Sequence, residues 1–150
     1  MKKTPYLIGV IEGIGDTFMV SANKKFENTS ILLTYYREGG NYDAIVICKN
    51  ATFPSHVSCN TVVAPENTPV SFTARYNISY GMSMQDTLTV SSISSDNIDG
   101  ENGKTIVALR QDITSFTGKP IGIAEFTFNW TMHAYTLLPI AALLILAEEV

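Results

Sequence analysis

The sequence predicts an all-β fold, an antiparallel β-sandwich or jelly roll of about 8–10 short strands that ends in a hydrophobic strand or short helix. Two stretches, residues 70–80 and 124–134, alternate apolar and polar side chains as half-buried strands do. Runs rich in turn-forming residues, such as "REGGNYD" and "TGKP", separate the β-rich segments. We therefore expect residues 1–150 to form a single β-sandwich domain, with neither an internal repeat nor a linker.

The N-terminal segment has the outline of a secretory signal, since residues 1–22 begin with two lysines, continue with apolar residues and end in "VSA". Glu12 and Asp16 interrupt the apolar part and leave residues 5–11 as its longest uncharged run. A strand over residues 6–11, a Gly-Ile-Gly turn and a second strand over residues 16–21 are therefore the preferred prediction.

Five further β-rich runs follow in the middle of the chain, and each has the length of an ordinary strand. They cover residues 30–36, 42–48, 57–63, 87–93 and 105–109. Together with the two alternating stretches, this spacing of short strands and turns is typical of an antiparallel sandwich.

The C-terminal segment, residues 134–150, is the most apolar part of the chain. Its uninterrupted apolar run, residues 137–147, is shorter than the roughly twenty residues of a membrane-spanning helix. Three environments suit it: the core of its own chain, a neighbouring subunit, or a membrane. The sequence leaves open whether it is a helix or a strand. We treat the segment as a hydrophobic assembly tail whose contact residues are Leu137, Leu138, Ile140, Leu143, Leu144, Ile145 and Leu146.

The two cysteines, Cys48 and Cys59, flank a loop that contains turn formers. Two strands joined by such a loop would bring the thiols close together, and a disulfide there would stabilise the fold by roughly 3 kcal/mol. A disulfide would also indicate either an oxidising environment outside the cell or a hyperthermophilic source. Two buried free thiols are the alternative.

Four N-x-[ST] sequons offer glycosylation candidates at Asn28, Asn50, Asn77 and Asn129. Asn77 and Asn129 fall on the polar faces of the two alternating stretches, where a glycan could project into solvent.

The acidic loop "SSDNIDGENGK" holds a weak calcium candidate made of Asp96, Asp99 and Glu101. The EF-hand pattern fails there, because Ser95 stands where the first ligand is expected and Ile106 where the closing glutamate is expected. A solvated hairpin turn is the preferred interpretation, so no metal site is predicted.

Composition and motifs exclude several functions. The net charge is −4 and the ten basic residues are scattered, whereas nucleic-acid binding needs a concentrated positive face. His56 and His133 give no catalytic triad, and paired carboxylates at a spacing useful for catalysis reduce to residues 148–149 and the acidic loop. No phosphate-binding glycine loop is present. We therefore predict neither an enzyme nor a cofactor.

These features together predict a structural subunit of an extracellular, pilus-like filament or of a virus particle. Copies of the chain would form a homopolymer by burial or exchange of the hydrophobic C-terminal segment. The alternative is a cell-surface glycoprotein recognition domain, an adhesin or receptor, whose C-terminal segment lies close to a membrane.

Overall fold

The computed structural model describes residues 5–52, 56–66, 68, 71–94 and 103–150. Its fold is mixed α/β, with an eight-stranded, mostly parallel sheet and two helices in the described part of the chain. The predicted all-β antiparallel sandwich is therefore wrong.

The elements follow one another along the chain with these bounds: β1 Tyr6–Ile11, α1 Phe18–Lys25, β2 Ile31–Tyr35, β3 Ala44–Ile47, β4 His56–Ser58, β5 Thr61–Pro65, β6 Ser71–Thr73, β7 Tyr76–Tyr80, β8 Leu88–Ser94, β9 Lys104–Leu109, β10 Ile113–Thr114, β11 Pro120–Ile121, β12 Ala124–Phe128 and α2 Ala134–Leu146. The strand order in the large sheet is β12-β9-β8-β7-β5-β3-β1-β2. Strand β9 pairs antiparallel with β8 and β12, and the other pairings in this sheet are parallel.

The parallel strands explain why the fold class was mispredicted. Every residue of β3 and of β5 is buried. A strand that is covered on both faces is apolar throughout, which is typical of parallel sheets. The alternation of apolar and polar side chains in the other stretches indicates that one face of the strand is covered. It does not indicate the direction of the neighbouring strand.

Two predicted strands are each divided by a turn. Residues 57–63 contribute to β4 and β5, and residues 70–80 contribute to β6 and β7. Strands β4 and β6 pair in a small parallel sheet, while β5 and β7 pair in the large one. In both sheets each residue pairs with the one fifteen positions later, as His56 does with Ser71 and Thr61 with Tyr76. This part of the chain therefore forms two stacked turns of a parallel solenoid.

The predicted second strand, residues 16–21, is wrong because helix α1 begins at Phe18. One acidic residue of the preceding segment satisfies a backbone donor at its start, because Met19 N–H donates to Glu12 Oε2 at 2.7 Å. Asp16 closes the turn before the helix, where Gly13 N–H donates to Asp16 Oδ2 at 2.9 Å. Carboxylates in such positions favour a helix start.

The C-terminal segment forms helix α2, which is buried in the core of its own chain. All seven residues named above as tail contacts are at most 8% exposed. Each fully buried leucine or isoleucine stabilises the fold by about 1.5–3 kcal/mol. The thirteen-residue helix is short, and no helix in the described ranges is long and apolar enough to cross a membrane.

The core has two parts, one on each face of the large sheet. Helices α1 and α2 cover one face, where they pack on strand residues that include Ile8, Val10, Val46, Val63, Leu88 and Leu109. The opposite face is covered around β1, β3 and β5 by Val57 of the small sheet and by Tyr36 and Tyr42. The central parallel strands are therefore shielded on both sides, and only their ends reach solvent.

Candidate functional site

The carboxyl ends of the parallel strands meet along one edge of the sheet, and polar residues follow them there. Glu12 comes directly after β1, Lys49 follows β3, Glu66 comes directly after β5, and the loop of residues 81–87 follows β7. Ligands of open α/β sheets bind at this edge. It is therefore the first place to look for a functional site.

Glu66 and Asp86 form a hydrogen-bonded carboxyl pair at this edge. Asp86 is only 4% exposed. Its pKa is raised by burial and by the hydrogen bond and negative charge of Glu66. For Glu66 burial is outweighed by hydrogen bonds from Asp86, Tyr135 and the Met82 N–H, so its pKa is lowered. Two neighbouring carboxyls of this kind titrate as a coupled pair, because the negative charge of one disfavours ionisation of the other.

The loop after β7 fixes the orientation of both carboxyls. Met82 N–H donates to Glu66 Oε2 at 3.0 Å, and Ser83 N–H donates to Asp86 Oδ2 at 3.0 Å. A Cβ atom at Gly81 would lie 1.4 Å from Glu66 Oε2 and 2.8 Å from Asp86 Oδ2. Only glycine lets the backbone pass so close to the pair.

Helix α2 adds a tyrosine and brings it close to a lysine. The Tyr135 hydroxyl donates to Glu66 Oε1, and the Lys49 Nζ lies 4.1 Å from the centroid of the Tyr135 ring. The hydrogen bond to Glu66, with burial, raises the pKa of Tyr135 to about 12. Lys49 also helps to lower the pKa of Glu66 through its positive charge. The segment predicted to be an assembly tail therefore supplies a side chain to this edge.

A cavity of about 550 Å³ lies beside the carboxyl pair. Its volume falls within the roughly 300–1,000 Å³ of small-molecule sites. Glu66 and Asp86 line it together with hydroxyl and amide side chains from Thr68, Asn77, Ser79, Ser83 and Gln85. Backbone and side chains of β5 and β7 complete the wall. Among the described lining residues none is basic, so the cavity favours a ligand without negative charge.

A second cavity, of about 260 Å³, lies near the first turns of the two helices. Its lining includes Asp16, Lys49, His133 and Thr136. Tyr135 also lines it, and its hydroxyl donates to Glu66, which lines the first cavity.

The predicted disulfide is not formed, because Cys48 and Cys59 are free thiols. Cys48 belongs to the core part on the helix-covered face, whereas Cys59 packs against the part on the opposite face. The sheet separates the two side chains. Burial raises the pKa of both thiols.

The four sequon asparagines, Asn28, Asn50, Asn77 and Asn129, are exposed, and their glycosylation stays a prediction. Asn77 lines the larger cavity. The calcium candidates Asp96, Asp99 and Glu101 lie outside the described residues. No group of three or more His, Cys, Asp or Glu residues suited to a metal ion occurs in the part of the chain that the structure describes.

No protein-family model matches this chain, and no curated protein or solved structure matches it either. Its function therefore has to be inferred from the arrangement of its own residues.

The carboxyl pair was missed at the level of sequence because its members are distant along the chain. Glu66 directly follows β5, Asp86 lies in the loop between β7 and β8, and Tyr135 belongs to helix α2. One signal was present. The run "TVVAP", residues 61–65, is followed directly by Glu66, and an acidic residue directly after an apolar strand indicates the ligand-binding edge of a parallel sheet.

Proposed function

We propose that the protein binds a small, neutral molecule rich in hydroxyl groups in the cavity beside Glu66 and Asp86. The observation that supports this most directly is a polar cavity of about 550 Å³ at the carboxyl edge of the parallel strands, with Glu66 and Asp86 among its lining residues. Pairs of groups with divergent pKa values in a cavity are typical of functional sites.

The chemistry of the wall favours hydroxyl groups as partners. The ionised Glu66 accepts hydrogen bonds, and the amides of Asn77 and Gln85 both donate and accept them. A sugar or other polyol offers matching donors and acceptors. An anionic ligand would be repelled by the negative charge of Glu66, and none of the described lining residues is basic.

The structural-subunit role stays a prediction that the structure does not test. Helix α2 buries the seven tail residues within their own chain, so assembly through them would require the helix to leave its core. The alternative prediction, a recognition domain, agrees better with the proposed binding of a hydroxyl-rich molecule. The predicted location outside the cell likewise stays a prediction.

Ligand-observed NMR with glycerol, sorbitol, glucose, ribose and adenosine would test the proposal. We expect at least one of these compounds to bind the wild-type protein. We expect Asn77→Ala to weaken that binding about three- to tenfold, since one hydrogen bond is worth about 0.5–1.5 kcal/mol.

The matched control is Asn129→Ala, because Asn129 is also an exposed asparagine but lies just after β12 and outside the cavity lining. Equal affinity in the two alanine variants and in the wild type would place the bound compound elsewhere. Absence of binding across the panel would contradict the proposed function.

A further inference from the structure

The two edge strands of the large sheet, β12 and β2 in the described part of the chain, differ in how they are protected. Strand β12 carries Glu125, whose Oε2 accepts a hydrogen bond from the Ser91 hydroxyl at 2.8 Å. A charged side chain on an edge strand hinders pairing with another chain. Strand β2 has the sequence "ILLTY", with no charge and no proline, and its register with β1 has no bulge. It therefore lacks the features that usually keep an edge strand from pairing.

The backbone groups of β2 point alternately towards β1 and towards the open edge. The Ser30 C=O accepts a hydrogen bond from β1 at 2.7 Å, and the Tyr36 N–H donates one to β1 at 2.9 Å. Because successive residues of a strand direct their N–H and C=O groups to opposite sides, Ile31, Leu33 and Tyr35 direct theirs to the open edge. No other strand in the described ranges pairs with β2 there. Such a row of backbone groups is a template for a further strand.

We propose that two copies of the protein form a symmetric dimer in which their β2 strands pair antiparallel about Leu33. Leu33 then lies opposite Leu33 of the second copy, and Ile31 lies opposite Tyr35. This register pairs all the outward-facing residues of β2 with one another, and each pair exchanges both of its N–H···O=C bonds. The Ile31 N–H, which donates to Thr29 Oγ1 at 3.2 Å within its own chain, would exchange that bond for one across the interface.

The side chains of β2 favour the same register. Leu32 and Tyr35 are each more than half exposed, although both are large and apolar. Residues that lie opposite each other in an antiparallel pair share one face of the sheet and interact through their side chains. The ring of Tyr35 would pack beside Ile31 of the second copy on the face that the helices cover. On the other face, Leu32 would contact Thr34 of the second copy.

The charges that flank β2 complement each other in this register. Arg37, which lies two residues beyond β2, is exposed. At the other end, the Ser30 N–H donates to Oε2 of the exposed Glu149 at 3.2 Å. Pairing about Leu33 brings Arg37 level with Thr29 of the second copy, one residue from Ser30. Each Arg37 would therefore approach Glu149 of the other copy, and complementary charges of this kind fix the register of an interface.

The dimer does not depend on the proposed binding function. Strands β1 and β3 separate β2 from β5, which helps to line the larger cavity. Helix α2 stays in its core, so the copies associate through β2 and not through the C-terminal segment. Because a two-fold pairing occupies the same edge on both copies, it gives a closed dimer and not a filament.

Sedimentation-velocity ultracentrifugation over a micromolar concentration series tests the dimer. We expect the wild-type protein to sediment as a dimer at the upper end of the series and to dissociate on dilution. Leu32→Lys should weaken the dimer at least about tenfold, because the two new charges would lie about 7–8 Å apart on an edge strand. The matched control is Thr127→Lys, which adds the same charge to an exposed position of the other edge strand, β12, and should leave the dimer unchanged.

A charge reversal tests the contacts at the flanks. Arg37→Glu should weaken the dimer about threefold or more, since exposed ion pairs contribute little individually but this pair occurs twice. Combining Arg37→Glu with Glu149→Arg should restore the wild-type affinity. Circular dichroism of each variant would identify loss of fold.

Cysteine cross-linking tests the register. Residues of a hydrogen-bonded antiparallel pair have Cα atoms about 5.5 Å apart, within the range of about 4.4–6.8 Å that disulfides span. Oxidised Leu33→Cys should therefore run as a covalent dimer on a denaturing gel. Oxidised Thr127→Cys should run as a monomer, and so should the wild-type protein, which controls for its own two cysteines.

Four outcomes would overturn the proposal. They are a monomer at every concentration, assemblies that keep growing beyond a dimer, a dimer that Leu32→Lys does not weaken, and equal weakening by Thr127→Lys. None of them bears on the cavity beside Glu66, whose ligand binding is measured separately.

Discussion

The two ends of the large sheet differ in how their strands are covered and in what lies at their edges. Strands β3 and β5 belong to the parallel part, are buried on both faces, and run into the polar edge that contains Glu66. Strand β12 belongs to the antiparallel part, where Glu125 and Thr127 are exposed between the more buried Ala124, Phe126 and Phe128. The buried strands act as a rigid base for the carboxyl pair, whereas β12 lies at an edge of the sheet, away from the two cavities described above.

Removing buried side chain from α2 should have the largest effect on stability. Leu143 is 0% exposed, so Leu143→Ala should lower the free energy of unfolding by about 2–5 kcal/mol. The control is Ile123→Ala, beside β12. Because Ile123 is 72% exposed, this substitution should lower the free energy of unfolding by less than about 0.5 kcal/mol. Urea unfolding followed by circular dichroism measures both. Similar losses in the two variants would show that the C-terminal helix is not part of the core.

The pattern of apolar and polar residues predicts where strands begin and end better than it predicts how they pair. Strand β1 was predicted with the observed bounds, and β2, β8 and β9 lie within a residue or so of the predicted runs. The apolar and polar residues within each segment are sufficient to predict these bounds. The partner and direction of each strand depend on contacts between distant segments, so the parallel order and the splitting of residues 57–63 and 70–80 were missed.

The candidate site was missed for the same reason. Glu66, Asp86 and Tyr135 are brought together by the order of β5 and β7 in the sheet and by the packing of α2 across it. The apolar segment 137–147 was recognised as needing complete burial, and the structure provides that burial within the chain. The first turn of helix α2, which includes Tyr135, was not recognised as part of a site.

Adding a methyl group at Gly81, beside the carboxyl pair, should lower the stability less than Leu143→Ala does. Gly81→Ala should lower the free energy of unfolding by about 1–3 kcal/mol, because the new Cβ would overlap Glu66 Oε2. It should also abolish binding in the cavity. The matched control is Gly122→Ala, where the nearest contact of a new Cβ is 3.8 Å from Asp112 and little change is expected. Unchanged stability and binding in Gly81→Ala would contradict the described approach of the loop to Glu66.

The coupled titration of Glu66 and Asp86 in the cavity wall is the central claim, and ¹³C NMR titration of the side-chain carboxyl carbons tests it most directly. Ordinary values are about 4.3 for the pKa of glutamate and about 3.9 for that of aspartate. We expect the pKa of Asp86 above its ordinary value and that of Glu66 below, with the pKa of Glu66 rising in Tyr135→Phe. Independent titration of both carboxyls at their ordinary values would contradict the coupled pair and, with it, the proposed binding site.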